Sequence, residues 1–138
     1  MDLGLQGKVA IVGASSRGLG KASALALAQE GAQVVICARN PEPLEQAAEE
    51  ISRLTSSPVH LVVMDMARQE DIDHLVKETV DRFGGVDIVV NNAGGPPVGA
   101  PLDMTEEHWK LAVEQNLLSA VRLSQGAIPY MRQKGWGR

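Results

Sequence analysis

The residues with the most chemistry to offer form one run, Gly13-Ala14-Ser15-Ser16-Arg17-Gly18-Leu19-Gly20. A glycine-rich turn between a strand and a helix lets backbone N–H groups approach a pyrophosphate at the helix's positive end. Gly18 and Gly20 do not complete G-x-G-x-x-G, because Ser23 follows them, so a plain tight turn is the competing reading. In dinucleotide folds an acid about 20 positions on, at the end of the second strand, bonds the adenosine 2′-hydroxyl. Here Ala38-Arg39 stand at that place, with no carboxylate. A guanidinium grips a 2′-phosphate in a two-pronged, charge-assisted contact, and Arg17 adds a second positive group. The pattern predicts NADP(H) in preference to NAD(H); the alternative is that both arginines are merely solvated.

Other candidate chemistry is thin. His60, His74 and His108 have no paired metal spacing, so no metal site is expected. Cys37 falls inside an apolar run and reads as a small core residue. Ser15-Ser16 has no nearby His or Asp partner. Glu49-Glu50 and Glu106-Glu107 are consecutive on predicted helices, point in different directions, and read as solvated or dipole-favoured charges.

The elements that must position the turn alternate along the chain. Apolar runs at 8–13, 33–38, 59–64 and 86–91 read as strands, the first buried on both faces. A helix runs from Gly18 until Gly31 closes it. A second starts with Asn40 as cap and Pro41 in the first turn, and its stripe is Leu44, Ala47, Ala48 and Ile51. A third spans 69–83, with Ile72, Leu75, Val76, Val80 and Phe83 inward, and ends at Gly84-Gly85. The segment 94–101 reads as a loop, in which Pro96, Pro97, Val98 and Leu102 either line an apolar cleft or merely connect. Thr105 caps a longer helix whose predicted stripe is Trp109, Val113, Leu117, Ala120, Ala127, Ile128 and Met131, with a kink expected at Pro129. Right-handed βαβ crossovers then give an α/β fold, a Rossmann-type doubly wound parallel sheet of strand order 3-2-1-4. One domain is expected over 1–138, incomplete because a fifth strand is due where the chain ends.

Composition narrows the partners. The chain has 138 residues, 13 Lys+Arg against 17 Asp+Glu, a net charge of −4 and 3% aromatics. That balance argues against nucleic acid, which needs basic groups to meet phosphates. A single cysteine cannot close an intrachain disulfide and points to a reducing cytoplasm. Met1-Asp2-Leu3-Gly4-Leu5-Gln6 lacks the features of a signal peptide, and no apolar run approaches the ~20 residues of a membrane span.

Gly7-Lys8-Val9-Ala10-Ile11-Val12 leading to Ser16-Arg17-Gly18-Leu19-Gly20, Asp65 after the third strand, and Asn91-Asn92-Ala93-Gly94 ending the fourth together carry a resemblance. The chain resembles the short-chain dehydrogenase/reductase family, most closely its 3-oxoacyl-carrier-protein-reductase-like branch, over essentially its whole length. The resemblance implies that Ser15, Ser16, Arg17, Gly18, Leu19 and Gly20 wrap the cofactor phosphates and that Arg39 takes the 2′-phosphate. It implies that Asp65 and Met66 contact adenine, that Asn92, Ala93 and Gly94 lie against ribose and nicotinamide, and that Asn91 stabilises the sheet centre. Where the family opens the turn with Thr-Gly, Gly13-Ala14 stand here; Ala14 is expected at an ordinary α or β angle, with cofactor affinity modestly lowered.

Asn116 sits on the predicted apolar stripe, where a buried amide needs partners. It reads either as a satisfied core residue or, by the resemblance, as a member of a catalytic tetrad with Ser, Tyr and Lys. Tyr130 and Lys134 fit Tyr-x-x-x-Lys literally. They are set aside, because 14 positions of helix from Asn116 put Tyr130 about 21 Å away at roughly 1.5 Å per residue. The expectation is a ketone/secondary-alcohol oxidoreductase, a small carbonyl or alcohol substrate and a homo-oligomer, with the proton donor missing from these residues. The alternative is a non-catalytic module that binds NADP(H) or pairs with another chain.

Overall fold

A computed structural model describes residues 1–95 and 98–138. Four strands, β1 (Val9–Val12), β2 (Gln33–Ala38), β3 (Val59–Val63) and β4 (Ile88–Val90), form one sheet in the order β3-β2-β1-β4. All neighbours run parallel, with Val9 beside Gln33 and Val12 beside both Ile36 and Val90. β1 is buried along its whole length, the state of a short apolar strand covered on both faces. The chain steps to opposite sides of β1 in reaching β2 and β4. This is the switch point at which doubly wound sheets open a crevice.

Helices α1 (Gly18–Gln29), α2 (Pro41–Leu54) and α3 (Gln69–Phe83) make the crossovers, and α5 (Ser119–Lys134) completes the layers. Alternation along the strands sorts the core. Ala10, Val12, Val34 and Ile36 meet Ala24 and Ala28 of α1 and Leu44, Ala47 and Ile51 of α2. Ile11, Val35 and Cys37 point the other way, onto Ile72, Leu75 and Val76 of α3 and Leu123 and Ala127 of α5. Gly31 closes α1 at φ +82, with Ala32 N–H donating to Leu27 O and Gly31 N–H to Ala28 O. Those two bonds satisfy carbonyls that a helix end otherwise leaves unpaired.

Several expectations need correction. β4 is three residues, not six, and Lys8, Gly13 and Met64 fall outside their strands. The Asn40 side chain makes no capping bond, although Asn40 precedes α2 and Pro41 opens it. After Thr105, one long helix becomes α4 (Glu106–Val113), a π turn (Glu114–Leu118) and α5. Thr105 does cap α4, but its partner in a reciprocal capping box is His108. No residue of α4 is buried, and Trp109, Val113, Leu117 and Ile128 of the predicted stripe are all exposed. The π turn explains part of this: its extra residue rotates the helix face, so the inward positions become Ser119, Leu123 and Ala127. α5 continues through Pro129; the departure from the α ladder falls at the π turn instead.

At the amino-terminal edge of the sheet, Asp87 is almost fully buried. Its Oδ2 accepts from Val9 N–H at 2.8 Å, and its Oδ1 accepts from Lys134 Nζ at 2.8 Å. Arg138 brackets Ile88 alongside, its N–H donating to Asp87 O and its carbonyl accepting from Val89 N–H, both at 3.0 Å.

Candidate functional site: a cleft at the carboxyl edge

The turn after β1 is locked from behind. Ser15 is buried; its hydroxyl donates to Val12 O at 2.7 Å and accepts from Cys37 N–H at 2.9 Å, and its own N–H donates to Cys37 O. The expected phosphate role of the Ser15 side chain is therefore corrected: every hydrogen bond named for it ties β1 to β2. From the other side Asn92 Nδ2 donates to Gly13 O at 3.0 Å and Ala14 O at 3.3 Å. A Cβ on Gly13 would lie 2.1 Å from Asn92 O, and one on Gly20 would lie 2.4 Å from Ala14 O. No side chain fits either gap, which is the requirement that places glycine there.

Ala14 stands at φ +44, not at the ordinary angle expected. The turn needs a left-handed residue at this point, and a Cβ there costs on the order of 1 kcal/mol or more.

Past the turn α1 begins beside the cleft, with Leu19 of its first turn in the wall. Arg17 precedes it with extended backbone and no side-chain capping bond, and the first turn holds no acid. The first turns of α2, α3 and α4 all carry Glu or Asp, so α1 alone among these keeps its positive end uncompensated.

A cleft of about 360 Å³ opens there. Ser16, Arg17 and Leu19 form one wall; Arg39 with Ala38, Asn40 and Pro43 form the next. Met64, Asp65 and Met66 follow β3, and Asn92, Ala93, Gly94 and Gly95 follow β4. Arg17 and Arg39 are exposed, and neither is in an ion pair among the described residues. Asp65 shapes its own loop: its N–H donates to Asp71 Oδ2 and its Oδ1 accepts from Ala67 N–H. Gly18 and Gly20 do not line the cleft and belong to the backbone of α1's first turn.

Sequence reasoning missed Gln115, which also lines the cleft. Its Oε1 is buried and has no hydrogen-bond partner among the described residues. No local pattern marks it, because its inward position depends on the π turn.

Asn116 is exposed, against the expectation of burial, and its Nδ2 donates to Ala112 O at 2.9 Å. It lines a separate cavity of about 170 Å³ with Met66, Asn91, Asn92 and Ala93, beside the cleft and not inside it. Asn91 Nδ2 donates to Ser124 Oγ at 3.0 Å, tying the end of β4 to α5. Val98 and Leu102 are fully exposed, which argues against an apolar cleft at this loop. Pro96 and Pro97 lie outside the described residues.

The remaining chemistry is structural. His60 and His74 both approach Glu78, at 3.1 and 3.2 Å. Among the described residues no group of three His, Cys, Asp or Glu side chains is placed to hold a metal, and no helix is long and apolar enough to cross a membrane. Burial pushes the Cys37 thiol up to about 12, outweighing its backbone contact with Ala14, so it is protonated and unreactive near neutrality.

Comparison with known proteins places this geometry in a lineage. The short chain dehydrogenase family profile matches residues 8–138. The chain belongs to the short chain dehydrogenases. D-beta-hydroxybutyrate dehydrogenase of Rhizobium meliloti is 37% identical over 132 residues, covering 95% of this chain and 51% of that protein. L-sorbose reductase from Gluconobacter frateurii, solved with NADPH and L-sorbose, superposes with TM-score 0.94 at 39% identity, over 99% of this chain and 52% of that one. A 7 alpha-hydroxysteroid dehydrogenase solved with NADH and 7-oxo glycochenodeoxycholic acid gives TM-score 0.90 at 33% identity, over 96% and 51%. The chain thus spans about half the length of these relatives. For a short chain dehydrogenase, the Tyr130/Lys134 pair is at the wrong end of the sheet. Lys134 is bound to Asp87 at the amino edge, and Tyr130 packs against the core.

Proposed function

We propose that the cleft binds NADP(H), and that the protein interconverts a ketone and a secondary alcohol, with 3-oxoacyl-type compounds as one candidate substrate class. The observation that carries the cofactor reading is the pair of unpaired guanidiniums, Arg17 and Arg39, beside the uncompensated start of α1. In this reading the start of α1, where Leu19 stands in the cleft wall, holds the pyrophosphate, and Arg39, with Arg17, holds the 2′-phosphate. Asp65 and Met66 border the adenine, and Asn92, Ala93 and Gly94 border the ribose and nicotinamide. The bound cofactor supplies a hydride. The residues present fit that group: the cleft offers backbone donors, two cations and a buried acceptor without a donor.

Reduction of a ketone also needs an acid for the forming alkoxide. The cleft wall contains no tyrosine or lysine among the described residues, and Asn116 stands nearby as a positioning group for that relay. We therefore propose that these 138 residues alone bind cofactor without turning over. A homo-oligomer is also proposed, supported by the open apolar surface of Trp109, Val113, Leu117 and Ile128; light scattering at a monomer mass would oppose it.

Calorimetric titration tests the central reading. NADPH should bind more tightly than NADH, and Arg39→Asp should erase that preference. Absence of heat with both dinucleotides on folded protein would overturn the proposal.

A further inference from the structure

We propose that Gln115 reads the base of the bound nucleotide, its Oε1 accepting a hydrogen bond from the exocyclic amino group of adenine. The inference rests on the dinucleotide reading of the cleft and adds a specificity residue that the family motifs did not mark. Gln115 is the second residue of the π turn and shares the cleft wall with Met64, Asp65 and Met66. Its Oε1 is buried without a partner among the described residues. A buried carbonyl oxygen without a donor is costly, so a ligand that brings a donor is favoured there.

None of the described residues donates to that oxygen. The Asp65 N–H is committed to Asp71, the Asp65 carboxylate is an acceptor already bound by Ala67 N–H, and the methionines offer no N–H or O–H side-chain group. Phosphates are acceptors too. The adenine amino group is a donor, and a glutamine carboxamide matches an adenine edge, which pairs an amino donor with a ring-nitrogen acceptor.

Binding of NADPH and of its hypoxanthine analogue, in which a 6-oxo group replaces the amino group, reads this contact directly. The unmodified protein should bind NADPH about tenfold more tightly than the analogue. In Gln115→Met the preference should shrink to about twofold through weaker NADPH binding, with the analogue unchanged. Gln115→Leu should behave alike, and circular dichroism melts establish that both variants are folded. Equal binding of the two dinucleotides by the unmodified protein overturns the Gln115 assignment alone. A preference that survives intact in both variants also overturns it and moves the base reading to Asp65. Binding of neither dinucleotide removes the nicotinamide reading, and this inference with it.

Discussion

The two edges of the sheet use similar side chains to opposite ends. At the amino edge Asp87, Lys134, Val9 N–H and the Arg138 backbone satisfy one another. At the carboxyl edge Arg17 and Arg39 beside the start of α1, and the Gln115 carboxamide oxygen, border a cleft and have no ion-pair or hydrogen-bond partner of their side chains among the described residues. A folded chain keeps buried polar groups paired. Saturated groups therefore report on stability, and groups left open at a switch point report on a ligand. A Tyr-x-x-x-Lys string looks catalytic by spelling alone, and its lysine belongs to the saturated edge.

Substitutions can break or sharpen that contrast. The largest effect is expected from Asp87→Ala, which strands Val9 N–H and Lys134 Nζ. Unfolding by urea should show a loss of about 3 kcal/mol, less than a fully buried pair would give because Lys134 is partly solvated. NADPH affinity of the folded fraction should not change. Arg39→Asp is the mirror case: about a hundredfold weaker NADPH binding, roughly 2.7 kcal/mol, with the urea midpoint unmoved. Ser15→Ala sharpens the boundary, since Ser15 sits within the phosphate motif yet faces the core. A loss of about 2 kcal/mol is expected from the stranded Cys37 N–H, again by urea titration. Ala14→Gly should stabilise by about 1 kcal/mol, relieving φ +44. Cys37 should give no native-state signal at all. With its thiol pushed up to about 12, it stays protonated through pH 9, and a thiol-alkylating reagent should label it only after denaturant is added. Labelling of native protein would place Cys37 nearer solvent.

Those elements that close on themselves were readable from residue order. β2 and α3 have the bounds the apolar pattern predicted, because each is a regular repeat held between clear breakers. The turn, Arg39 and Asp65 were readable as a cleft because parallel strands bring their carboxyl ends together whatever their loops contain. The stripe from Trp109 onward was misread for two reasons. Apolar spacing does not reveal whether anything lies opposite a helix, and a π turn changes the phase without a residue signature. The same turn hid Gln115 and displaced Asn116. Ala14 was misjudged because its backbone is packed against Gly20, six residues on, and bonded to Asn92, a residue far off in sequence.

The Asn92 carboxamide has a mechanical consequence. By joining the carbonyls of Gly13 and Ala14 to the segment after β4, it welds the α1 side of the crevice to the opposite side. Opening the crevice by moving one side alone would break both of those hydrogen bonds.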